Sequence, residues 1–410
     1  MNPARKTLLQ DILSQPTAPF REAHVISRIT RELEQFHVPY FQDPVGNLIL
    51  GVSSQKEYTA LLKKSGTEPL RIFVAHMDHP GFHGVRWKSP RELQIRWHGG
   101  SPTKHLDGAK VWIANSTAWV GHGTLLEPKL MASGKALESG VVRIDSFSDS
   151  SSKEDLLKNV HDLFGGFGFR APYWNEGNLI YTKAADDLVG TFAVTSLALD
   201  FFGISNGVKN KSRTRSSKLQ KKEVPFLGLL TRAEEVGFIG AIGHFELGWL
   251  NKAKRPVLCV SLETSRTLPG AEIGKGPVVR LGDKFTVFDP GALRVFTQLA
   301  QTTLPESHQR RVMDGGTCEA TAATVFGIPS IGISVPLGNY HNQSFEGGPD
   351  AAPSNGPAPE FVHEHDIEGL LALCNGLIQP KLPWSNPWVG TLNEFRKNLR
   401  GYRSLLRTGI

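Results

Sequence analysis

The sequence predicts an α/β fold with a smaller all-β unit set into it. Three observations carry this reading. Apolar runs such as Arg71–Ala75, Val224–Leu230, Pro256–Leu262 and Gly327–Val335 have the length and composition of buried strands, and helical spacing follows them. Several of these runs close on acidic or histidine-bearing stretches, where ligands bind in open α/β sheets. From about Val85 to Ser146 the pattern changes to short alternating runs separated by Gly, Ser, Pro and Asn, as in a small all-β unit.

Residues 5–37 predict a helical hairpin or a broken helix. Leu8, Leu9, Ile12 and Leu13 share a face, Pro16 and Pro19 interrupt, and Val25, Ile26, Ile29 and Leu33 resume the period. A turn at Asp43-Pro44 leads into a strand over 45–52, and 53–68 is partly loop. The strand from Arg71 ends in His76-Met-Asp78-His79-Pro80-Gly81. In the next block Leu93–Trp97, Lys110–Ala114, Gly123–Leu126 and Gly140–Ile144 read as short strands. Residues 85–165 are therefore expected to form an inserted β-domain, with 1–84 and 166–410 as the main domain. A loop over 146–153 and a short helix over 154–163 close the insertion.

The chain returns through Gly177–Tyr181 to Asp186-Asp187, a pair at a helix start. One Asp suffices as a cap, so the second is free to present a carboxylate. The strand ending in Thr231-Arg-Ala-Glu234-Glu235-Val-Gly is followed by a helix through Phe245. Pro256–Thr264 is a buried strand with Glu263 at its end, and 274–283 is strand-like. Pro290–Gln301 is helical, Gly315-Gly316 turns into a small-residue helix, and His341 lies just beyond the strand over 327–336. His363, Glu364, His365 and Asp366 open the helix Ile367–Ile378; acids at a helix start explain that cluster more simply than a metal. The tail, Trp388–Arg407, predicts a basic amphipathic helix that packs against the body or a subunit and not on a membrane.

At 410 residues the chain exceeds one ordinary core, and 40% hydrophobic with 21% charged residues fits a globular protein. It has no signal-type apolar stretch and no run long enough for a membrane helix. Cys259, Cys318 and Cys374 lack metal-type spacing, which points to a reducing, cytoplasmic setting. The net charge of +7 is concentrated in Lys209, Lys211, Arg213, Arg215, Lys218, Lys221 and Lys222; without them the remainder is neutral. A solvated basic loop over 205–223 accounts for it, and neither nucleic acid nor membrane is expected as a partner.

Adjacent carboxylates such as Glu234 and Glu235 repel unless a cation takes one and a reacting proton the other. His76, Asp186, Glu235, Glu263 and His341, each at a strand end, make two imidazoles and three carboxylates. With one carboxylate bridging, that is a donor set for two divalent first-row ions, zinc first, with cobalt or manganese able to substitute. Such a pair supplies an activated water and a clamp for amide hydrolysis. Glu234 is the free carboxylate that would take the water's proton, and Asp78, two residues from His76, would hold that imidazole in orientation. His79 and His83 read as pocket walls.

The ordered set His-x-Asp, Asp-Asp-x-x-Gly, Glu-Glu-x-Gly, a strand-end acid, Gly-Gly-Thr and a late His resembles the co-catalytic metallo-aminopeptidases of the glutamyl and tetrahedral aminopeptidase family. The resemblance spans nearly the whole chain, including Gly46-Asn47-Leu48. It implies an α/β/α sandwich with a mixed sheet, removal of N-terminal residues from peptides, and homo-oligomers from dimers to twelve-subunit shells. It makes Asp186 the bridging ligand, with His76 and Glu263 on one ion, Glu235 and His341 on the other, and Glu234 as general base. Four positions depart from the family pattern: Glu263 for Asp, His79-Pro80 for Glu and an apolar residue, Leu188 for Arg, and Cys318 for Asp. The same two-metal chemistry serves N-acyl amino acid amidohydrolases and carboxypeptidases. A non-catalytic peptide-binding relative would have lost a ligand or the base, and none is lost.

Overall fold

A computed structural model describes residues 1–148, 159–202 and 226–408. The basic loop 205–223 lies outside them, as does most of the segment 146–163. Helix α1 (Pro3–Ser14) starts at Asn2, whose side chain accepts from Arg5 N–H, with Pro3 where no N–H is needed. The prolines that follow end it, and α2 (Ala23–Gln35) resumes the apolar face. Strands β1 (Tyr40–Gln42) and β2 (Leu48–Leu50) form a hairpin around the turn at Asp43. The stretch read as partly loop contains α3 (Gln55–Leu62), capped by Ser54. The wholly buried β3 (Leu70–His76) follows.

Six strands then close a barrel: β4 (Gly81–Ser89), β5 (Glu92–His98), β6 (Lys110–Ala114), β7 (Trp119–Leu130), β8 (Leu137–Phe147) and β9 (Phe164–Phe167). Its order is β4-β5-β8-β7-β6-β9, and Phe82, Ile95, Val111, Leu125 and Val142 fill the interior from alternating positions. Closure leaves this unit without a free edge.

Beyond the barrel come β10 (Tyr173–Glu176), β11 (Leu179–Thr182) and α4 (Leu188–Phe201). They are followed by β12 (Phe226–Thr231), α5 (Ile239–Glu246), β13 (Val257–Arg266) and β14 (Val278–Asp283). Next are α6 (Pro290–Thr303), β15 (Gln309–Met313), α7 (Glu319–Val325) and β16 (Ser330–Leu337). The chain ends with β17 (Glu360–His363), α8 (Glu364–Leu377), α9 (Val389–Tyr402) and α10 (Leu405–Thr408). The main sheet has the order β1-β2-β12-β3-β13-β16-β14-β15. Strands β12, β3, β13 and β16 run parallel, while β2 and β14 join antiparallel.

The period of two along the central strands decides the layers. Phe73 and Ala75 of β3 pack with α1, α2, α4, α6 and α8, whereas Ile72 and Val74 pack with α3, α5 and α7. This is the expected α/β/α sandwich with a mixed sheet. In α4, 12 of 14 residues are buried, so it is apolar on nearly every face instead of amphipathic. Among the described residues no helix is long and apolar enough to cross a membrane.

Two expectations change. Glu263 lies inside β13, paired in register with Ser334 of β16, and not at the strand's end. The strand's apolar run stops there because the next residues line the pocket. The tail does form a helix, but no residue of α9 is buried, so of the two expected partners, body or subunit, the body does not cover it.

Phe192, wholly buried in the centre of α4, tests how much the sandwich depends on this helix. Phe192→Ala is expected to cost about 3–5 kcal/mol, read as a lowered urea midpoint; a change under about 1 kcal/mol would show that the layer refills without it.

Candidate metal centre

The carboxyl ends of β3 and β12 lie side by side, with His76 paired to Thr231 in register. His76 Nδ1 lies 3.1 Å from the Asp78 carbonyl oxygen, to which it donates. That leaves His76 Nε2 free to face the site, 3.4 Å from Asp186 Oδ1 and 3.8 Å from Glu234 Oε2. The other Asp186 oxygen, Oδ2, is 3.7 Å from His341 Nε2, which in turn is 3.0 Å from Glu235 Oε2. Asp186 therefore turns one oxygen to each histidine, the geometry of a bridging carboxylate. The donor atoms of His76, Asp186 and Glu235 lie within 4.8 Å of one another, as do those of Glu234, Glu263 and Glu319.

The two aspartates divide their tasks. Asp187 caps α4 by accepting from Gly190 N–H (3.1 Å) and also accepts from Thr264 Oγ1 (2.9 Å). Asp186, joined to it by a cis peptide bond, projects into the site. Asp78 holds His76 more closely through its carbonyl oxygen than through its carboxylate. Its carboxylate is 3.6 Å from His76 Nδ1, and it accepts instead from the backbone N–H groups of Glu234 (2.9 Å) and Glu235 (3.2 Å). Glu22 continues this hold, accepting from Ala233 N–H at 3.0 Å and from Arg232 Nε at 2.7 Å. The turn they grip carries Ala233 and Gly237 at positive φ (52° and 108°), so it needs these anchors.

A second clamp ties Asp186 to His341. The fully buried Glu360 accepts from Ala185 N–H (2.7 Å), Asp186 N–H (3.1 Å) and His341 N–H (2.8 Å). His79 Nδ1 donates to the Asp186 carbonyl at 2.7 Å, and its Nε2 lies 3.1 Å from Asn342 Oδ1. His341 needs such support because Asn339, His341 and Asn342 all have φ near +55° (56°, 54° and 57°). The barrel reaches the site at Gly100, where a Cβ would lie 2.0 Å from His341 Nδ1.

Burial, with neighbouring carboxylates adding to it, pushes Glu234, Glu235, Glu263, Asp187 and Glu360 well above the usual carboxylate range. Burial lowers His341 and His79 to about 4. For His76 burial also disfavours the charge, but Glu234, Asp186 and Asp78 outweigh it and raise the imidazole. Asp186 Oδ1, Glu235 Oε1, Glu263 Oε1, Glu319 Oε2 and His341 Nε2 are buried and make no hydrogen bond. Orphaned buried oxygens and an imidazole nitrogen, converging in one place, fit divalent cations.

Three residues here were missed in the sequence. Glu319 opens α7 and reads locally as a first-turn acid; its Oε1 accepts from Thr231 Oγ1 at 2.7 Å while Oε2 joins Glu234 and Glu263. The Cys-Glu pair after Gly-Gly-Thr was its one visible signal. Glu360 sits in Pro-Ala-Pro-Glu and has no local signature. Arg280 of β14 is buried in the pocket wall beside Glu263 and Thr317, with Nη1 3.3 Å from Ser265 Oγ.

Residues 59–345 match the family model described as M42 glutamyl aminopeptidase. The chain belongs to that family. It is a metal-dependent aminopeptidase, a peptide hydrolase. Among solved structures, the TET1 peptidase of Pyrococcus horikoshii is 20% identical with a TM-score of 0.67, covering 92% of this chain and 100% of its own. An aminopeptidase from Desulfurococcus kamchatkensis is 18% identical with a TM-score of 0.67, covering 93% of this chain and 97% of its own. These two share the fold. A comparison with curated proteins found no match.

Glu360→Gln places one N–H2 group against backbone donors that need acceptors. It is expected to weaken retention of a divalent ion by about 10–100-fold without unfolding the protein, measured with zinc as the probe in competition with a chromophoric chelator. Wild-type retention would show that the clamp is dispensable.

Proposed function

We propose that this enzyme removes N-terminal residues from peptides with two divalent ions, zinc first, held by His76, Asp186, Glu235, Glu263 and His341. The observation that carries the reading is Asp186, whose two oxygens face two different histidines. On this reading His76 and Glu263 serve one ion, His341 and Glu235 the other, and Glu319 adds a carboxylate beside Glu263. Bound there, the ions would supply Lewis acidity toward the scissile carbonyl and an activated water. Glu234 is the only carboxylate of the Glu-Glu pair left for proton transfer: it takes the proton of the attacking water and delivers it to the leaving amine nitrogen. Its raised proton affinity suits both halves of that exchange. Asp78 serves as a positioning residue, because it fixes the backbone of both glutamates.

Arg280 supports a finer substrate statement. A buried guanidinium in the wall of the pocket that holds Glu234 and Asp186 favours peptides whose first side chain is acidic. The TET1 peptidase of P. horikoshii can assemble into a tetrahedron or an octahedral shell; for this chain we propose a homo-oligomer. We place it in the cytoplasm, in keeping with its three free, buried cysteines.

Metal loading should release protons, because burial among other carboxylates raises the proton affinity of Glu235 and Glu263. Affinity is therefore expected to fall as pH falls through the raised range of these groups. Calorimetric titration with zinc in two buffers of different ionisation enthalpy reads the proton count and the stoichiometry of two ions per chain. A stoichiometry of zero would remove the two-ion reading.

Glu234→Gln is expected to keep both ions while kcat falls by about 100-fold or more; near-normal turnover would move the base elsewhere. A panel of free-amine and N-blocked peptides separates the readings of substrate. Cleavage of blocked substrates alone would favour an amidohydrolase. Arg280→Met should reduce kcat/KM for a Glu-initiated peptide more than for a Leu-initiated one.

A further inference from the structure

The turn that carries Glu234 and Glu235 is also held from Gly46-Asn47-Leu48. Strand β2 pairs antiparallel with β12, Leu48 opposite Leu230, so Asn47 stands where β12 gives way to the turn. Its side chain reaches both ends of that turn. Asn47 Oδ1 accepts from Arg232 N–H at 3.2 Å, and Asn47 Nδ2 donates to the Gly240 carbonyl at 2.9 Å. Arg232 and Gly240 also meet directly, Gly240 N–H donating to the Arg232 carbonyl at 2.8 Å. Position 240 has to be glycine, because a Cβ there would lie 2.5 Å from the Arg232 backbone and from Asn47 Oδ1.

Asn47 grips both ends in only one orientation of its amide, and three buried side chains fix that orientation. Asn47 Nδ2 also donates to Asp43 Oδ2 at 2.9 Å, and His244 Nδ1 donates to the same oxygen at 2.9 Å. His244 Nε2 is then left as an acceptor, and the Tyr58 hydroxyl donates to it at 3.0 Å. Tyr58, His244, Asp43 and Asn47 are all buried, so each would be costly without its partner. Burial works against a charge on Asp43, but the hydrogen bonds from His244 and Asn47 outweigh it and hold the carboxyl below its ordinary range. Within the turn Ala233, Gly237 and Phe238 all have positive φ (52°, 108° and 59°). Such a backbone keeps its shape only when it is held from several sides. Asp78 and Glu22 hold N–H groups in its first half, and Asn47 closes it.

We propose that Asn47, aimed by Asp43, His244 and Tyr58, is a positioning residue for the Glu234 carboxylate, a role that rests on the reading of Glu234 as general base. Glu234 Oε2 lies 3.8 Å from His76 Nε2, close to where the attacking water would be activated. A misplacement of about 1 Å in a group that moves a proton costs up to about 100-fold in rate. The closed turn sets that distance, and the relay from Tyr58 to Asn47 keeps the turn closed. A lock of purely structural value would instead lower stability and leave kcat as it is.

Asn47→Ala in the full-length enzyme removes both grips. With saturating zinc and peptide, kcat is expected to fall by about 10–100-fold while KM stays within about threefold of wild type. Added to Glu234→Gln, the same substitution should cost less than about threefold more, because the group it positions is already gone. Asp43→Asn is the second variant, used where Asn47→Ala does not fold. It is isosteric and keeps an oxygen for the N–H groups of Val45 and Asn47, but it releases the Asn47 amide. It should show the same pattern with a fall of about 5–10-fold. An unchanged kcat in the folded variants, with only the urea midpoint lowered, would overturn the proposal. So would a loss that is undiminished in the Glu234→Gln background. Near-normal turnover of Glu234→Gln alone would remove the base reading and this role with it, whereas failure of the Asn47 and Asp43 variants leaves the base reading intact.

Discussion

Asp186, Glu234, Glu235 and Glu263 converge where apolar packing keeps water away, and several of their oxygens make no hydrogen bond at all. Charged carboxylates in such a place repel one another and lack solvation, which is why the proton affinities of the three glutamates rise. Cations relieve both problems at once. The rest of the sandwich is the scaffold that holds this unfavourable arrangement together.

The holding is done largely by other carboxylates acting on backbone N–H groups. Asp78 and Glu22 secure the left-handed turn at Ala233, and Glu360 secures Asp186 and His341 together. Each anchor connects segments far apart in sequence, so local distortion at the site is supported by the whole sandwich. His79 belongs to the same device. It was read as a pocket wall, and its ring instead fixes the carbonyl of Asp186. Through Gly100 the barrel also lies against His341, which makes the barrel part of the site's boundary.

Much of the architecture was legible because strand and helix periods are local properties. The continuous apolar run of β3 and the apolar helix α4 follow from composition over a few residues and indicate an α/β sheet, while the three-layer sandwich was implied by the family resemblance. The separate roles of Asp186 and Asp187 were likewise visible as one carboxylate more than a cap requires. Asp78 was placed beside His76, and its closer contact there is made by the carbonyl oxygen. Two-residue spacing brings its side chain close to His76, yet the carboxylate turns toward stronger partners, the two N–H groups of the Glu234 turn, which come from another strand.

The sequence by itself determined that histidines and acids would gather near the ends of the central strands, because residue type and strand position are written in adjacent residues. Only the tertiary structure decided which carboxylates meet. Glu319, Glu360 and Arg280 reach the site from a helix start, a short antiparallel strand and the far side of the sheet, and their local surroundings give no sign of it. It also decided that the tail helix faces outward. Periodicity defines an apolar face, but what covers that face depends on the packing of elements distant in sequence.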